Sequence, residues 1–369
     1  MASVIVVGGG VIGCATAYYL ALEGADVTLL ERGEVSGEAS GAAAGVLATL
    51  SDHGEHPPFF NRLCADSLRL FDNVLPVLAD TGLDVRHRSV GLLELAISEG
   101  EIPWLRAQYE RHKGRRGVRW LDARQARSLE PALGPKPAAA IYTPDIRYLD
   151  PQRLTQAFAE AARLRGVTIR EHEPVNRFLR RGDRLRGVQT PSGTYAADEI
   201  ILAGGPWTAA LAKKLGANIP VRPVRGQMMS LEGPPVALQH ILMGTRALIV
   251  PREDGQTYVG ATVEEAGYRR RTTASALRAL RAGAASMVPA LARAKQRRAW
   301  AGLRPALPDA LPVMGRLPGW SNAWISSGHF RTGILLSPLS GQLMARAIAT
   351  GSKDGLPAEL SPGRFEQRR

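Results

Sequence analysis

Cysteine is scarce: Cys14 and Cys64 are the only two in 369 residues. Two thiols cannot build a disulfide scaffold, and a Cys-based metal site is excluded with it, so no metal is expected. Long apolar runs are missing as well. No stretch reaches the roughly 18 uninterrupted apolar residues of a membrane span, and the first apolar run is broken by Gly8, Gly9, Gly10 and Gly13. With a strand expected to begin at residue 3, no secretory leader is expected and the chain reads as cytoplasmic. Acidic residues are outnumbered, 34 against 47 basic ones, for a formal charge of +13. The basic residues cluster at 111–119, 177–186, 269–271 and 293–298, without interleaved aromatics or a nucleic-acid-binding motif. No nucleic-acid partner is expected; the charge reads as a solvated, arginine-rich surface that binds polyanions non-specifically at low salt.

What is present begins at the N-terminus. Ser3-Val4-Ile5-Val6-Val7 feeds into Gly8-Gly9-Gly10-Val11-Ile12-Gly13, a helical pattern follows, and Asp26-Val27-Thr28-Leu29-Leu30 ends at Glu31. Strand, G-x-G-x-x-G turn, helix, strand and acid in this order form a dinucleotide-binding βαβ fingerprint. Gly8 permits the tight turn, Gly10 lets the backbone approach a pyrophosphate, and Gly13 lets the helix pack on the sheet. Val11 and Ile12 open the helix, whose free N–H groups favour phosphate. Glu31, with Arg32 beside it, stands where a carboxylate can accept hydrogen bonds from an adenosine ribose. Cys14 falls inside the helix and reads as a small buried apolar residue.

Further along, residues 33–58 are rich in Gly, Ala and Ser and predict a loop and short helix facing a cofactor through Ser40, Ala43, Ala44 and Gly45. Helices are predicted over 59–80, 102–109, 151–165 (with Asp150 as cap and Pro151 in the first turn) and 273–291. Residues 90–97 and 167–170 read as strands, and 175–178, 185–190 and 194–196 as a small meander, with Val175 at its start. Residues 199–205 read as a central parallel strand whose glycine end, at Gly204, meets a ligand with Trp207 nearby. Short strands are expected at 227–231, 247–250 and 257–259, then a strand over 324–328 and a helix through 348. The fold class is α/β with an α+β second domain. Residues 1–85, 148–220 and 300–369 form a discontinuous Rossmann-type nucleotide domain, and 86–147 with 221–299 a mostly antiparallel substrate domain.

A cofactor touching the N-terminal fingerprint, the strand end near 204 and a glycine-rich junction at 328–333 must be long, which favours FAD over NAD. That junction, Gly328-His329-Phe330-Arg331-Thr332-Gly333-Ile334, can offer N–H groups and a helix dipole to a reduced flavin. Together with Ala42-Ala43-Ala44-Gly45, Pro223-Val224-Arg225-Gly226-Gln227, Ile249-Val250-Pro251-Arg252, Val259-Gly260-Ala261-Thr262 and Trp300-Ala301-Gly302-Leu303-Arg304-Pro305, the chain resembles the D-amino-acid oxidase superfamily over almost its whole length. Within it, the glycine oxidases of thiamine biosynthesis are most similar.

The resemblance implies non-covalent FAD, since neither cysteine stands at the 328–333 loop. It implies an FAD-dependent amino-acid oxidase acting on glycine or other small amino acids. Hydride would pass from the α-carbon to flavin N5, and the imine would hydrolyse to a 2-oxo acid and ammonia. Reoxidation by O2 would give H2O2, and thiamine thiazole biosynthesis would be the destination. The alternative is a dehydrogenase passing electrons to a quinone or other carrier. A homo-oligomer is expected. Arg304 corresponds to a clamp for the substrate carboxylate, a role its rigid guanidinium fork suits on physical grounds. Arg331 either faces the substrate or braces its loop, and His329 reads as a flavin-packing residue rather than a base. The family's carboxylate-binding tyrosine is matched by Leu248, which cannot donate a hydrogen bond. Arg246, two residues earlier in an expected strand, shares its face and compensates. Two pocket methionines correspond to Val46 and Val263, which implies a wider pocket.

Overall fold

The computed structural model describes residues 2–49, 56–351 and 355–366. Ser3–Val7 is the centre of a six-stranded sheet. It pairs in parallel with Asp26–Leu30 on one side and Glu199–Leu202 on the other. Thr168–Arg170 and Ala323–Ser327 extend the parallel set outward, and Val313–Arg316 closes one edge antiparallel. The run of valine and isoleucine in the first strand is explained by burial on both faces. Val4 and Val6 pack under the helices Val11–Leu22, Pro58–Ala79, Pro151–Arg163 and Gly333–Thr350. Ile5 and Val7 point the other way, into the meander of Arg177–Arg181, Arg184–Thr190 and Gly193–Ala196. The period-2 alternation of a strand divides the two cores.

The helix at 151 starts as its sequence dictates: the Asp150 carboxylate accepts from the N–H groups of Gln152 (3.0 Å) and Arg153 (3.1 Å), and Pro151 occupies the first turn. Both cysteines are buried and free. Burial pushes the Cys14 thiol far up and the Cys64 thiol up to about 12.

The second layer is an eight-stranded sheet in which every pairing but one is antiparallel. The exception is Ile241–Met243, which runs parallel to Leu92–Ala96. Helix Ala274–Met287 covers one face with Leu280, Ala284 and Met287. The edge strand Gln296–Ala306 pairs with Arg222–Glu232 along its length. The domain boundary expected at 300 therefore falls inside a strand, which was hidden because Gln-Arg-Arg at its start is exposed and reads only as a basic cluster.

Two local expectations need correction. Residues 33–49 are a succession of turns ending in the short strand Val46–Leu47. The short helix expected there is absent from the described residues, and 50–55 lie outside them. Arg246 sits in the bend between Ile241–Met243 and Leu248–Pro251, not in a strand with Leu248; Gly244 N–H closes that bend on the Ala247 carbonyl at 2.9 Å.

Candidate active site

The carboxyl ends of the parallel strands open into a cavity of about 720 Å³ that runs to the inner face of the antiparallel sheet. Ligands of open α/β sheets bind at this end of the strands. Gly8, Gly10, Val11 and Ile12 line it, whereas Gly13 does not. A Cβ on Gly13 would collide with the Gly8 carbonyl oxygen, and Gly8 itself has φ +123°. The third glycine thus sets helix-to-turn packing, as its place in the fingerprint implies. Val11 N–H at the helix start donates to Ser40 Oγ at 2.9 Å, which ties the Ser/Ala loop to the fingerprint.

At the nucleotide end, the Glu31 carboxylate accepts from Gly9 N–H (2.6 Å) and Gly33 N–H (2.8 Å). Arg32 lies over the Trp207 ring, 3.5 Å from its centroid, and pairs with Glu38 at 2.7 Å. Glu38 also pairs with Arg270 (2.6 Å), and Tyr268 packs against Trp207 with ring centroids 5.6 Å apart. Sequence reasoning placed Arg32 and Trp207 but missed Glu38, Tyr268 and Arg270. The Glu38–Arg270 pair joins residues more than 200 positions apart and Tyr268 reaches Trp207 from another strand-to-helix segment, so neither contact carries a local pattern.

Ala43, Ala44, Gly45, Val175 and Gly204 all line the cavity. The Ala42–Gly45 turn is held from the other sheet. Trp300 Nε1–H donates to the Ala42 carbonyl at 3.1 Å, and Arg252 donates to the carbonyls of Ala44 and Leu149. Arg252, over the Tyr258 ring at 4.1 Å, is thus a brace between the layers.

His329, Phe330, Arg331, Thr332, Gly333 and Ile334 form the opposite wall; Gly328 stands just behind it. Phe330 has φ +48°, strained for an aromatic residue. Its N–H is bound to the Pro305 carbonyl at 2.9 Å, which draws the loop onto the residue next to Arg304. His329 is 3% exposed, with Nε2 3.0 Å from Ser340 Oγ and Nδ1 without a partner among the described residues. Burial pushes its imidazole down to about 3, so at neutral pH it is uncharged and not a proton carrier. Between about pH 6.5 and 3 the unfolded chain takes up a proton at this imidazole while the folded chain does not. Folding should therefore weaken by about 1.4 kcal/mol for each pH unit of acidification across that window. Urea midpoints measured against pH should show a shallower acid slope for His329→Asn than for the parent.

At the far end stands Arg304. Its guanidinium folds over Gly226 of the neighbouring strand, where any Cβ would overlap it, and donates to the Thr262 carbonyl at 3.0 Å. A network fixes that carbonyl's segment. Thr262 Oγ1 donates to Glu264, accepts from Gln227 N–H at 2.9 Å, and Gln227 Nε2 donates to Glu264 at 2.7 Å. Gln227 and Glu264 escaped sequence reasoning, although Gln227 stands in a quoted motif. Burial, then the Arg331 charge, pushes Arg304 down to about 10, so it remains a cation. The structure thus brings Arg304 and Arg331 together. Arg246, Leu248, Val46 and Val263 also line this end, with Met228 and Met243.

These residues fit a flavin dinucleotide. The cavity is long, glycines clear its phosphate end, and the orphaned His329 Nδ1 is a buried polar atom awaiting a partner. The DAO family model, described as FAD dependent oxidoreductase, matches residues 3–347. Glycine oxidase of Pseudomonas putida is 34% identical over 364 residues, which cover 97% of this chain and 98% of that protein. Glycine oxidase of Bacillus subtilis is 34% identical over 345 residues, 93% of this chain and 92% of that protein. The crystal structure of glycine oxidase from Geobacillus kaustophilus matches the fold with a TM-score of 0.92 at 31% identity, covering 100% of both chains. From the fingerprint at its N-terminus to the Arg304 end of the cavity, this chain belongs to the DAO family of FAD dependent oxidoreductases, and FAD is its cofactor.

Proposed function

We propose that the protein carries out oxidative deamination of glycine or another small amino acid, with O2 as the acceptor and a 2-oxo acid, ammonia and H2O2 as products. The observation that carries this reading is Arg304: a positioned guanidinium fork at the end of the cavity, beside the 329–334 loop. Bound FAD supplies the two-electron acceptor. The protein supplies position and field. Arg304 takes the α-carboxylate in a bidentate grip, and the Thr262 carbonyl and Gly226 fix the direction of its fork. Arg331 adds a second positive charge. The cavity-lining carboxylates among the described residues (Glu31, Glu34, Glu38 and Glu173) belong to the segments around the second strand's end, so the substrate amine loses its proton to water. Leu248, Val46 and Val263 leave an apolar, roomy wall that admits D-alanine or sarcosine beside glycine. The imine product suits thiazole formation in thiamine synthesis.

Purified protein should be yellow. Acid precipitation should release the colour into the supernatant; colour retained by the precipitate would overturn non-covalent binding. Glycine or D-alanine added anaerobically should bleach the flavin, and air should restore it with one H2O2 per turnover. Fast dye reduction with negligible oxygen uptake would assign the protein to the dehydrogenases instead. A flavin that no small amino acid bleaches would sink the reading.

A further inference from the structure

Arg246 is not used by that reaction. It lines the same cavity end as Arg304, yet only Arg331 acts on the Arg304 guanidinium by charge. Arg246 is carried by the bend after Ile241–Met243, whereas the Arg304 guanidinium is folded over Gly226 and held by the Thr262 carbonyl, so the two cations are presented by separate segments. The Arg246 backbone is fixed on three sides. The Gly244 N–H bond to Ala247 closes the bend, Thr245 Oγ1 donates to Glu101 at 2.6 Å, and Gly283 of helix Ala274–Met287 has no Cβ to push against Arg246. The guanidinium itself has no hydrogen-bond or ion-pair partner among the described residues. A rigidly based cation that lines a cavity, without a partner among the described residues, is poised for an anion, and the neighbouring Leu248 offers the reacting end no competing polar contact.

We propose that Arg246 forms a second anion subsite, so that the preferred substrates are amino or imino acids carrying a second carboxylate beyond the one Arg304 holds. This rests on the amino-acid-oxidising reading above and adds the substrate class to it. Arg246 is exposed and so stays hydrated, which makes the added affinity salt-sensitive.

The test uses the FAD-loaded protein and two unreactive anions, succinate and propionate, titrated by perturbation of the flavin absorbance. Succinate should bind more tightly than propionate, and the gap should narrow as salt rises. Arg246→Gln should weaken succinate about tenfold, the loss of one charge-assisted contact, and propionate by about twofold at most; Arg246→Lys should recover part of the succinate affinity. In turnover, D-aspartate should show the same selective rise in KM, and D-alanine far less. If Arg246→Gln weakens both anions equally, Arg246 shares the α-carboxylate; if it weakens neither, it is a bystander. Either result overturns the subsite while leaving amino-acid oxidation standing. If neither anion perturbs the flavin and no amino acid bleaches it, the cavity does not take carboxylates and both readings fall.

Discussion

Arg304→Ala is expected to weaken productive substrate binding by about 2–5 kcal/mol, roughly 30-fold to several thousand-fold. The loss is large because a buried fork pairs with a carboxylate through two parallel charged hydrogen bonds, and nothing in an alanine side chain replaces them. The measurement is the rate of anaerobic flavin reduction against substrate concentration. FAD content should hardly change, since Arg304 stands at the opposite end of the cavity from the fingerprint. Arg304→Lys should recover charge without the fork and rescue only in part. An amine lacking a carboxylate should be nearly indifferent to either change. If the alanine variant binds and reduces with glycine or D-alanine as the parent does, Arg304 is not the clamp.

Gly226→Ala should give the second largest effect and separates position from charge. A Cβ at 226 would overlap the Nη1, Nη2 and Cζ atoms of Arg304. Those atoms are the far end of a flexible side chain, so the guanidinium swings aside and the fold survives. The cation remains and its aim is lost. A misplacement of about 1 Å can cost on the order of 100-fold, so KM should rise by tens-fold with melting temperature and FAD content near parental values. Gly302→Ala is the contrast. Gly302 pairs with Gly226 across the two strands, but its added Cβ would press on Ala42 in the cofactor loop. That variant should instead lose FAD. If the two variants behave alike, the clamp and the cofactor loop are not separable in this way.

The elements that the sequence declares are those whose cause is local. Val4 and Val6 against Ile5 and Val7, the Gly8–Gly13 turn and the Asp150 cap each lie within a few residues and appear where expected. The exposed edge strand beginning at Gln296 was invisible because its pairing partner lies about 75 residues earlier and one face meets solvent. The same reason hides half the site. Arg304 was nameable from its motif, but the Thr262 carbonyl that orients it, the Gln227–Glu264 network behind that carbonyl and the Arg252 brace arise only when distant strands meet. Arg246 was misplaced for a different reason. The strand expected at 247–250 was extended back over Arg246, whereas Arg246 belongs to a bend fixed in part by the Thr245 hydroxyl bond to Glu101, far away in the chain.

The strand order of the six-stranded sheet also constrains the timing of synthesis. Ser3–Val7 is made before the other strands of this sheet, but its neighbour Glu199–Leu202 follows about 190 residues later, and Ala323–Ser327 about 120 residues after that. Until then the nascent chain carries a largely apolar strand that only Asp26–Leu30 can pair, with its other edge open, the kind of segment that invites association with other chains. The Arg304 strand and the 328–333 loop are made in the same late stretch that completes the sheet. Flavin uptake should therefore be a late event. A ribosome-stalled chain released at residue 320 should hold no FAD and be captured by chaperones, while one released past Thr350 should bind it.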